Sequence, residues 1–169
     1  MLTRNRLVAL DALERIAIAG TLYALSYLPL FDASPLVSAT SARFPALQRW
    51  DTLHFLGIAQ RGYAYEHNWA FLPGAPFVIR AFGRIFGATD AATLALLGSL
   101  AALCCSTVRD LYDLTLQLTA SPGVAALASA LSLVPMSPAT LLFAPYTEPF
   151  FTFLSYKGAR QNHLICPHG

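Results

Sequence analysis

The sequence predicts an all-α fold, a polytopic membrane protein. Three observations carry this reading. Only 12% of the 169 residues are charged and 56% are hydrophobic, with a mean hydropathy of +0.52. A soluble domain carries about 25% charged residues, so much of this chain's solvent is a bilayer. Uncharged apolar runs recur along the chain, separated by Pro and Gly. Finally, acids, bases and aromatics crowd into one stretch between those runs, RWDTLHFLGIAQRGYAYEHNWAFLPGAPF, from Arg49 to Phe77.

The first span is expected over residues 8–31, built on IAIAGTLYALSYLPLF from Ile16 to Phe31. Spanning takes about 20 residues, and tilt or snorkelling covers a shortfall. A cleaved signal peptide is the rival, with Val37-Ser38-Ala39 as its site. That site lies well beyond the apolar run and further membrane runs follow, which favours an uncleaved helix.

Residues 32–90 form an external loop. Pro35 and Pro45 interrupt its first half. After Pro73-Gly74 and Pro76, the run FVIRAFGRIF from Phe77 to Phe86 reads as a short helix in the membrane interface. Arg80 and Arg84, four apart, share one face and read as headgroup anchors. Gly87 ends that helix and Asp90 caps the next.

The second span covers 91–108 and stops at Arg109, Asp110 and Asp113. Ser121-Pro122-Gly123 is a turn, and the third span covers 121–134. Pro135, Pro138 and Pro145 then break PMSPATLLFAPYTEP into a non-helical re-entry. Pro149 to Tyr156 begins another apolar stretch, which Lys157 cuts short. The expected division is a membrane domain over 1–156 and an unrelated, disordered polar tail over 157–169.

With three crossings, Asp51 and Glu148 face one compartment. Arg109 to Pro122 faces the other, with the N-terminus. Arg4, Arg6 and Arg15 favour a cytosolic N-terminus and put the loop outside the cytosol.

Several functions are disfavoured. A net charge of +2 without a basic patch interleaved with aromatics argues against nucleic acid. His54 and His67 are too far apart in sequence to suggest a metal site, and none is expected. Cys104, Cys105 and Cys166 show neither metal nor disulfide spacing. The charge-free run from Ala91 to Val108 counts against a transporter.

The loop nevertheless offers chemistry. Asp51, ringed by aromatics at a bilayer boundary, is expected to be partly desolvated, which raises its pKa and suits proton acceptance. Arg49 and Arg61 suit a phosphate leaving group. Trp50, Tyr63, Tyr65 and Trp69 offer flat faces to sugar rings. His54, His67, Asn68 and Glu66 complete the polar set, with Tyr146 and Glu148 from the later patch. Each also has a plainer reading: aromatics populate interfaces, and arginines anchor headgroups. Residue types alone reach a multi-pass membrane protein with a polar, aromatic external loop, and no particular reaction.

The run R-W-D-x-x-H-F-x-x-I-A-x-x-G-Y-x-Y-E-H-N-x-A-F-x-P-G, from Arg49 to Gly74, resembles the first lumenal loop of the GPI mannosyltransferase 2 family. A second patch is similar too: Leu111-Tyr112, Leu114-Thr115, Pro138-Ala139 and Tyr146-Thr147-Glu148. The resemblance covers residues 7 to 156. It implies the N-terminal part of a GT-C type helical transmembrane fold in the endoplasmic reticulum membrane, with the 32–90 loop lumenal. The implied reaction adds the second mannose, α-1,6, from dolichyl phosphate mannose to the GPI-anchor precursor. No cofactor is implied beyond that donor. The implied partners are the bilayer, the polyprenyl-phosphate donor, the GPI lipid acceptor and a companion membrane subunit.

Within that resemblance Asp51 is the base, with Glu66 and Glu148 as alternatives. Arg49, Arg61 and His67 would stabilise the departing phosphate. Tyr63, Tyr65 and Trp69 would pack on sugar or polyprenyl. The alternative reading is a non-catalytic polytopic subunit or an inactive fragment.

Overall fold

The computed structural model describes residues 3–25, 43–134 and 144–165. The helices are α1 (Arg4–Leu25), α2 (Asp51–Arg61), α3 (Gly74–Phe86), α4 (Ala91–Cys104), α5 (Val108–Thr119), α6 (Pro122–Ser132) and α7 (Thr147–Ile165). Two 3₁₀ turns, Pro45–Leu47 and Glu66–Ala70, flank α2 in sequence.

Local signals set most boundaries. Helix α2 buries Thr52, Phe55, Leu56 and Ala59, the i, i+3, i+4, i+7 stripe of a core-facing helix. It ends at Gly62, whose φ of 78° a glycine adopts without strain. Helix α3 starts earlier than Phe77 because Pro76 lies in its first turn, where a missing N–H costs nothing. Gly87, at φ 66°, closes it by donating to the carbonyls of Gly83 and Arg84. The Asp90 carboxylate caps α4 as expected, accepting from the Thr93 N–H at 3.0 Å. Ser121 caps α6 in the same way, with Pro122 in its first turn.

The expected spans are redrawn. Helix α1 starts at Arg4, and residues 26–31 of the first span lie outside the described residues. Its charges pair internally: Arg15 Nε donates to Asp11 Oδ1 at 2.9 Å, one turn away, and both are buried. Arg15 Nη1 also reaches the Ala102 carbonyl at 3.4 Å. The second apolar run does not form one unbroken helix to Val108. It opens after Cys104 and resumes at Val108 as α5. Ala91–Thr119, taken together, is long and apolar enough to cross a membrane, the one such stretch among the described residues. Helix α6 has 11 residues, about 17 Å, against a hydrocarbon core of about 30 Å. Residues 135–143, with Pro135, Pro138 and Ala139, lie outside the described residues, as does the Val37-Ser38-Ala39 site.

The largest departure is at the C-terminal end. Helix α7 runs unbroken from Thr147 through Lys157 to Ile165, so residues 157–165 are not a disordered tail. Lys157 and Arg160, two of the polar residues that read as a stop, lie three apart on one helix face. Arg160 Nη1 donates to Asp110 Oδ1 at 2.8 Å, and Lys157 Nζ approaches Asp110 Oδ2 at 3.4 Å. Arg160 Nη2 also meets Asp113 Oδ2 at 3.3 Å, and Arg4 Nη1 meets Asp113 Oδ1 at 3.1 Å. This cluster ties α1, α5 and α7 together.

The main core lies nearer the start of α7. Phe55 and Leu56 of α2, Ala75 and Ile79 of α3, and Leu94 and Ala95 of α4 meet Ala144, Tyr146 and Phe150 there. The approach is close at Gly98 of α4. A Cβ on Gly98 would stand 2.7 Å from the Pro145 Cβ and 2.9 Å from the Ile79 Cγ1. Only hydrogen fits between α3, α4 and Pro145.

Candidate functional site

Asp51 opens α2. The residue before it, Trp50, is the N-cap, with φ 49° and ψ −132° and no side-chain cap. A bulky residue at positive φ is strained, and such strain collects where a structure must aim a side chain. The Asp51 side chain is exposed, whereas its neighbour Thr52 is 1% exposed. The alternation follows from helical geometry, since successive residues point about 100° apart.

Helix α7 delivers the other half of the site. Tyr146 stands just before it, buried at 7% exposure, and Glu148 lies exposed in its first turn. The Tyr146 ring meets Phe55 edge to face, with centroids 6.1 Å apart. Burial is the main force pushing the Tyr146 hydroxyl from the ordinary 10.0 up to about 12. The Asp51 charge adds to that rise, as does Glu148, while hydrogen bonding from the Thr52 side chain and the Asp51 backbone opposes it. Two acids remote in sequence therefore sit around one phenol. Asp51 itself is exposed, and Tyr146 is the buried group of the three.

The remaining aromatic and basic residues form a ladder beside α2. His54 stacks on Phe71 at 4.6 Å and meets His67 edge-on at 5.5 Å. His67 stacks on Tyr65 at 5.6 Å, and the Arg61 guanidinium lies 5.9 Å above the Tyr65 ring. Tyr63 stacks on Trp69 at 4.8 Å and donates its hydroxyl to the Phe71 carbonyl at 2.7 Å. Trp69 is 72% exposed and Tyr65 54%, so parts of both rings reach solvent beyond these stacked contacts. Asn68 is buried in the 3₁₀ turn that Glu66 begins, while Glu66 is exposed.

The sequence-predicted residues thus fall into two groups. Arg49, Trp50, Asp51, Tyr146 and Glu148 lie around the start of α2. Arg61, Tyr63, Tyr65, Glu66, His67, Asn68 and Trp69 follow its far end, with His54 between. Arg61 is ten residues beyond Asp51, about 15 Å along the helix axis, too far to contact the same reacting atoms. Arg49 is half-buried beside Asp51 and is the better-placed guanidinium.

Arg80 has a partner inside the fold. Besides any headgroup contact, its Nε donates to the Ala59 carbonyl at 2.6 Å and closes the end of α2. Arg84 is exposed. Sequence reading missed the role of Phe71, whose ring stacks on His54 and meets Phe55 edge-on. Among the described residues no three His, Cys, Asp or Glu side chains gather as metal ligands would.

Residues 1–166 match the family model described as Mannosyltransferase (PIG-V). This chain belongs to the PIG-V mannosyltransferase family. The match runs through Lys157 and Arg160, so it includes most of the stretch expected to be unrelated. A GPI mannosyltransferase 2 of Cryptococcus neoformans var. neoformans serotype D (strain JEC21) is 36% identical over 147 residues, covering 78% of this chain and 32% of that relative. A GPI alpha-1,6-mannosyltransferase 2 of Rattus norvegicus is 36% identical over 126 residues, covering 68% of this chain and 25% of the relative. The Homo sapiens protein of that name is 58% identical over 33 residues, 20% of this chain and 7% of its own length. The chain therefore spans a quarter to a third of the length of the first two relatives. No solved structure matches it.

Proposed function

We propose that this PIG-V family chain carries the catalytic-base end of an endoplasmic-reticulum mannosyltransferase. The enzyme adds the second mannose, in α-1,6 linkage, from dolichyl phosphate mannose to the mono-mannosylated GPI precursor. The observation that carries the reading is the junction of Asp51, Tyr146 and Glu148. The chain brings an exposed carboxylate and a second acid to one buried phenol at the mouth of an apolar helical core.

The reaction is a single inverting displacement. Asp51 takes the proton from the acceptor's primary hydroxyl as that oxygen bonds to the anomeric carbon. The carbon–oxygen bond to phosphate breaks, and its electron pair leaves with the dolichyl phosphate. Positioned general-base help is worth about 10²–10⁴-fold. Glu148 orients the acceptor. Arg49 faces the departing phosphate's charge. The Tyr65–His67–His54 ladder and the Tyr63–Trp69 pair hold sugar and lipid faces further along α2. The bilayer supplies both substrates, and the external loop faces the lumen.

The test uses cells lacking the second mannosyltransferase. They express the Cryptococcus relative with its matched segment replaced by residues 1–166 of this chain, and separately this chain itself. The chimera restores GPI-anchored proteins at the cell surface, and Asp51→Asn abolishes that rescue at normal protein level. Full rescue by Asp51→Asn removes Asp51 from the base role. Accumulation of the singly mannosylated lipid with a well-expressed chimera sinks the assignment of the reaction.

A further inference from the structure

We infer that Arg80 binds the phosphate of the lipid-borne acceptor, in a small cavity two helical turns from Asp51. This deepens the reading of Asp51 as the base and rests on it. It gives Arg80 a task besides closing α2.

The guanidinium is half committed. Its Nε donates to the Ala59 carbonyl at 2.6 Å, which fixes the direction of the group. Nη2 makes only a long contact, 3.5 Å, to the Gln60 carbonyl, and no acceptor among the described residues meets Nη1. No carboxylate among the described residues pairs with Arg80. The edge formed by Nη1 and Nη2 is the fork that suits two oxygens of a phosphate.

Arg80 lines a cavity of about 140 Å³ with Ile58, Gly62, Tyr63, Pro76 and Phe77. A single water needs only about 10–15 Å³ of such space, so a phosphate group fits. The Tyr63 wall is firm, held by its stack on Trp69 at 4.8 Å and its hydroxyl bond to the Phe71 carbonyl at 2.7 Å. Phe77 and Ile85, exposed apolar side chains of the same helix α3, suit the cavity to the depth of lipid headgroups. A phosphate that joins a sugar to a lipid lies at that depth.

Position decides which phosphate it is. Ile58 follows Asp51 by two helical turns, so the two lie on one face of α2, about 10 Å apart along the axis. The donor's phosphate is bonded to the carbon under attack. A base within hydrogen-bond reach of the attacking hydroxyl, about 2.6–3.2 Å, therefore keeps that phosphate close to Asp51. The acceptor's phosphate stands elsewhere. In a mono-mannosylated glycosylphosphatidylinositol the mannose, glucosamine and inositol rings separate it from the reacting hydroxyl. A cation two turns along α2 matches the acceptor's phosphate and leaves the donor's to Arg49.

The experiment measures mannosyl transfer in microsomes bearing the chimera, with dolichyl phosphate mannose and two synthetic acceptors. Both carry mannosyl-glucosaminyl-inositol on a short alkyl chain, one through a phosphodiester and the other through an ether. Arg80→Gln puts an amide N–H where Nε stood, which keeps a donor for Ala59 and removes the charged fork. It should raise KM for the phosphodiester acceptor about tenfold to a hundredfold, the loss of charge-assisted hydrogen bonds. Its kcat, its KM for the donor and its kinetics with the ether acceptor should stay within about twofold of the parent. Arg84→Ala should leave both acceptors unaltered. An equal loss on the two acceptors overturns the inference, since Arg80 would then serve only the fold or bulk headgroups. A raised KM for dolichyl phosphate mannose overturns it too, giving Arg80 to the donor. If Arg80→Gln fails to accumulate, the parent decides: it should favour the phosphodiester acceptor by about tenfold or more in kcat/KM, and equal values overturn the inference. Failure of the base reading looks different: Asp51→Asn would turn over both acceptors at the parental kcat.

Discussion

The rings of Phe55 and Tyr146 meet edge to face, with centroids 6.1 Å apart and planes at 81°. One belongs to the loop helix that carries Asp51, the other to the segment that carries Glu148. Such an aromatic contact is worth about 0.5–1.5 kcal/mol beyond its burial. It is also the hinge pin between the two acids, and the predictions below probe what surrounds it.

Tyr146 gives a pH dependence of definite sign. Its hydroxyl is held up to about 12, above the 10.0 of the free side chain. The folded state therefore keeps a proton that the unfolded state releases first. The stabilisation is fully present below pH 10 and is lost as pH rises toward 12. In detergent, the stability gap between the parent and Tyr146→Phe should narrow across that window. A gap that widens there would contradict the buried, acid-flanked phenol.

Gly98→Ala should destabilise by about 1–3 kcal/mol, the usual cost of overpacking a filled core. The added Cβ meets the ring of Pro145 at 2.7 Å, and a proline ring has little freedom to retreat. Because Pro145 precedes Tyr146, the same change should lower mannosyl transfer more than protein level. Gly20→Ala, where nothing lies within 4 Å, is the control and should leave both unaltered.

Arg80 and Arg84 share one helix and differ in task. Arg80→Ala removes the donor at 2.6 Å from the Ala59 carbonyl, at a cost of about 1–3 kcal/mol for a charged hydrogen bond to a part-buried carbonyl. Arg84→Ala, at an exposed site, should stay within about 0.5 kcal/mol. Thermal unfolding of the two variants separates them, and equal effects would disprove the capping role.

Asp110 is 4% exposed and accepts both Lys157 and Arg160. Asp110→Ala leaves those cations facing a part-buried gap and should cost about 2 kcal/mol, reduced from a fully buried pair by the exposure of the lysine and arginine. Residues 157–165 should then become sensitive to protease while α2 remains protected. Protection of that end in Asp110→Ala would mean that the ion pairs do not hold α7 in place.

Much of the helix map was legible because its signals are local. Gly87, Asp90, Ser121 and Pro122 act on backbone groups within a few residues, so each marks its boundary wherever the chain folds. The aromatic and acidic residues of the 49–74 stretch were legible as a group for a similar reason: they stand out against an apolar chain. Their partition into two sets, one about each end of α2, was not. Arg61 and Asp51 look close in sequence, yet an 11-residue helix holds them about 15 Å apart.

The sequence by itself determined the all-helical character, the apolar composition, the caps and the family motif, since these rest on side-chain chemistry and short-range backbone geometry. Tertiary structure alone decided that α7 continues past Lys157, that Arg80 closes α2, and that Tyr146 is buried against Phe55. In each case the deciding partner is distant along the chain: Asp110 for Lys157 and Arg160, Ala59 for Arg80, and Phe55 for Tyr146. A charge reads as the end of an apolar helix until an opposite charge from another helix is folded against it.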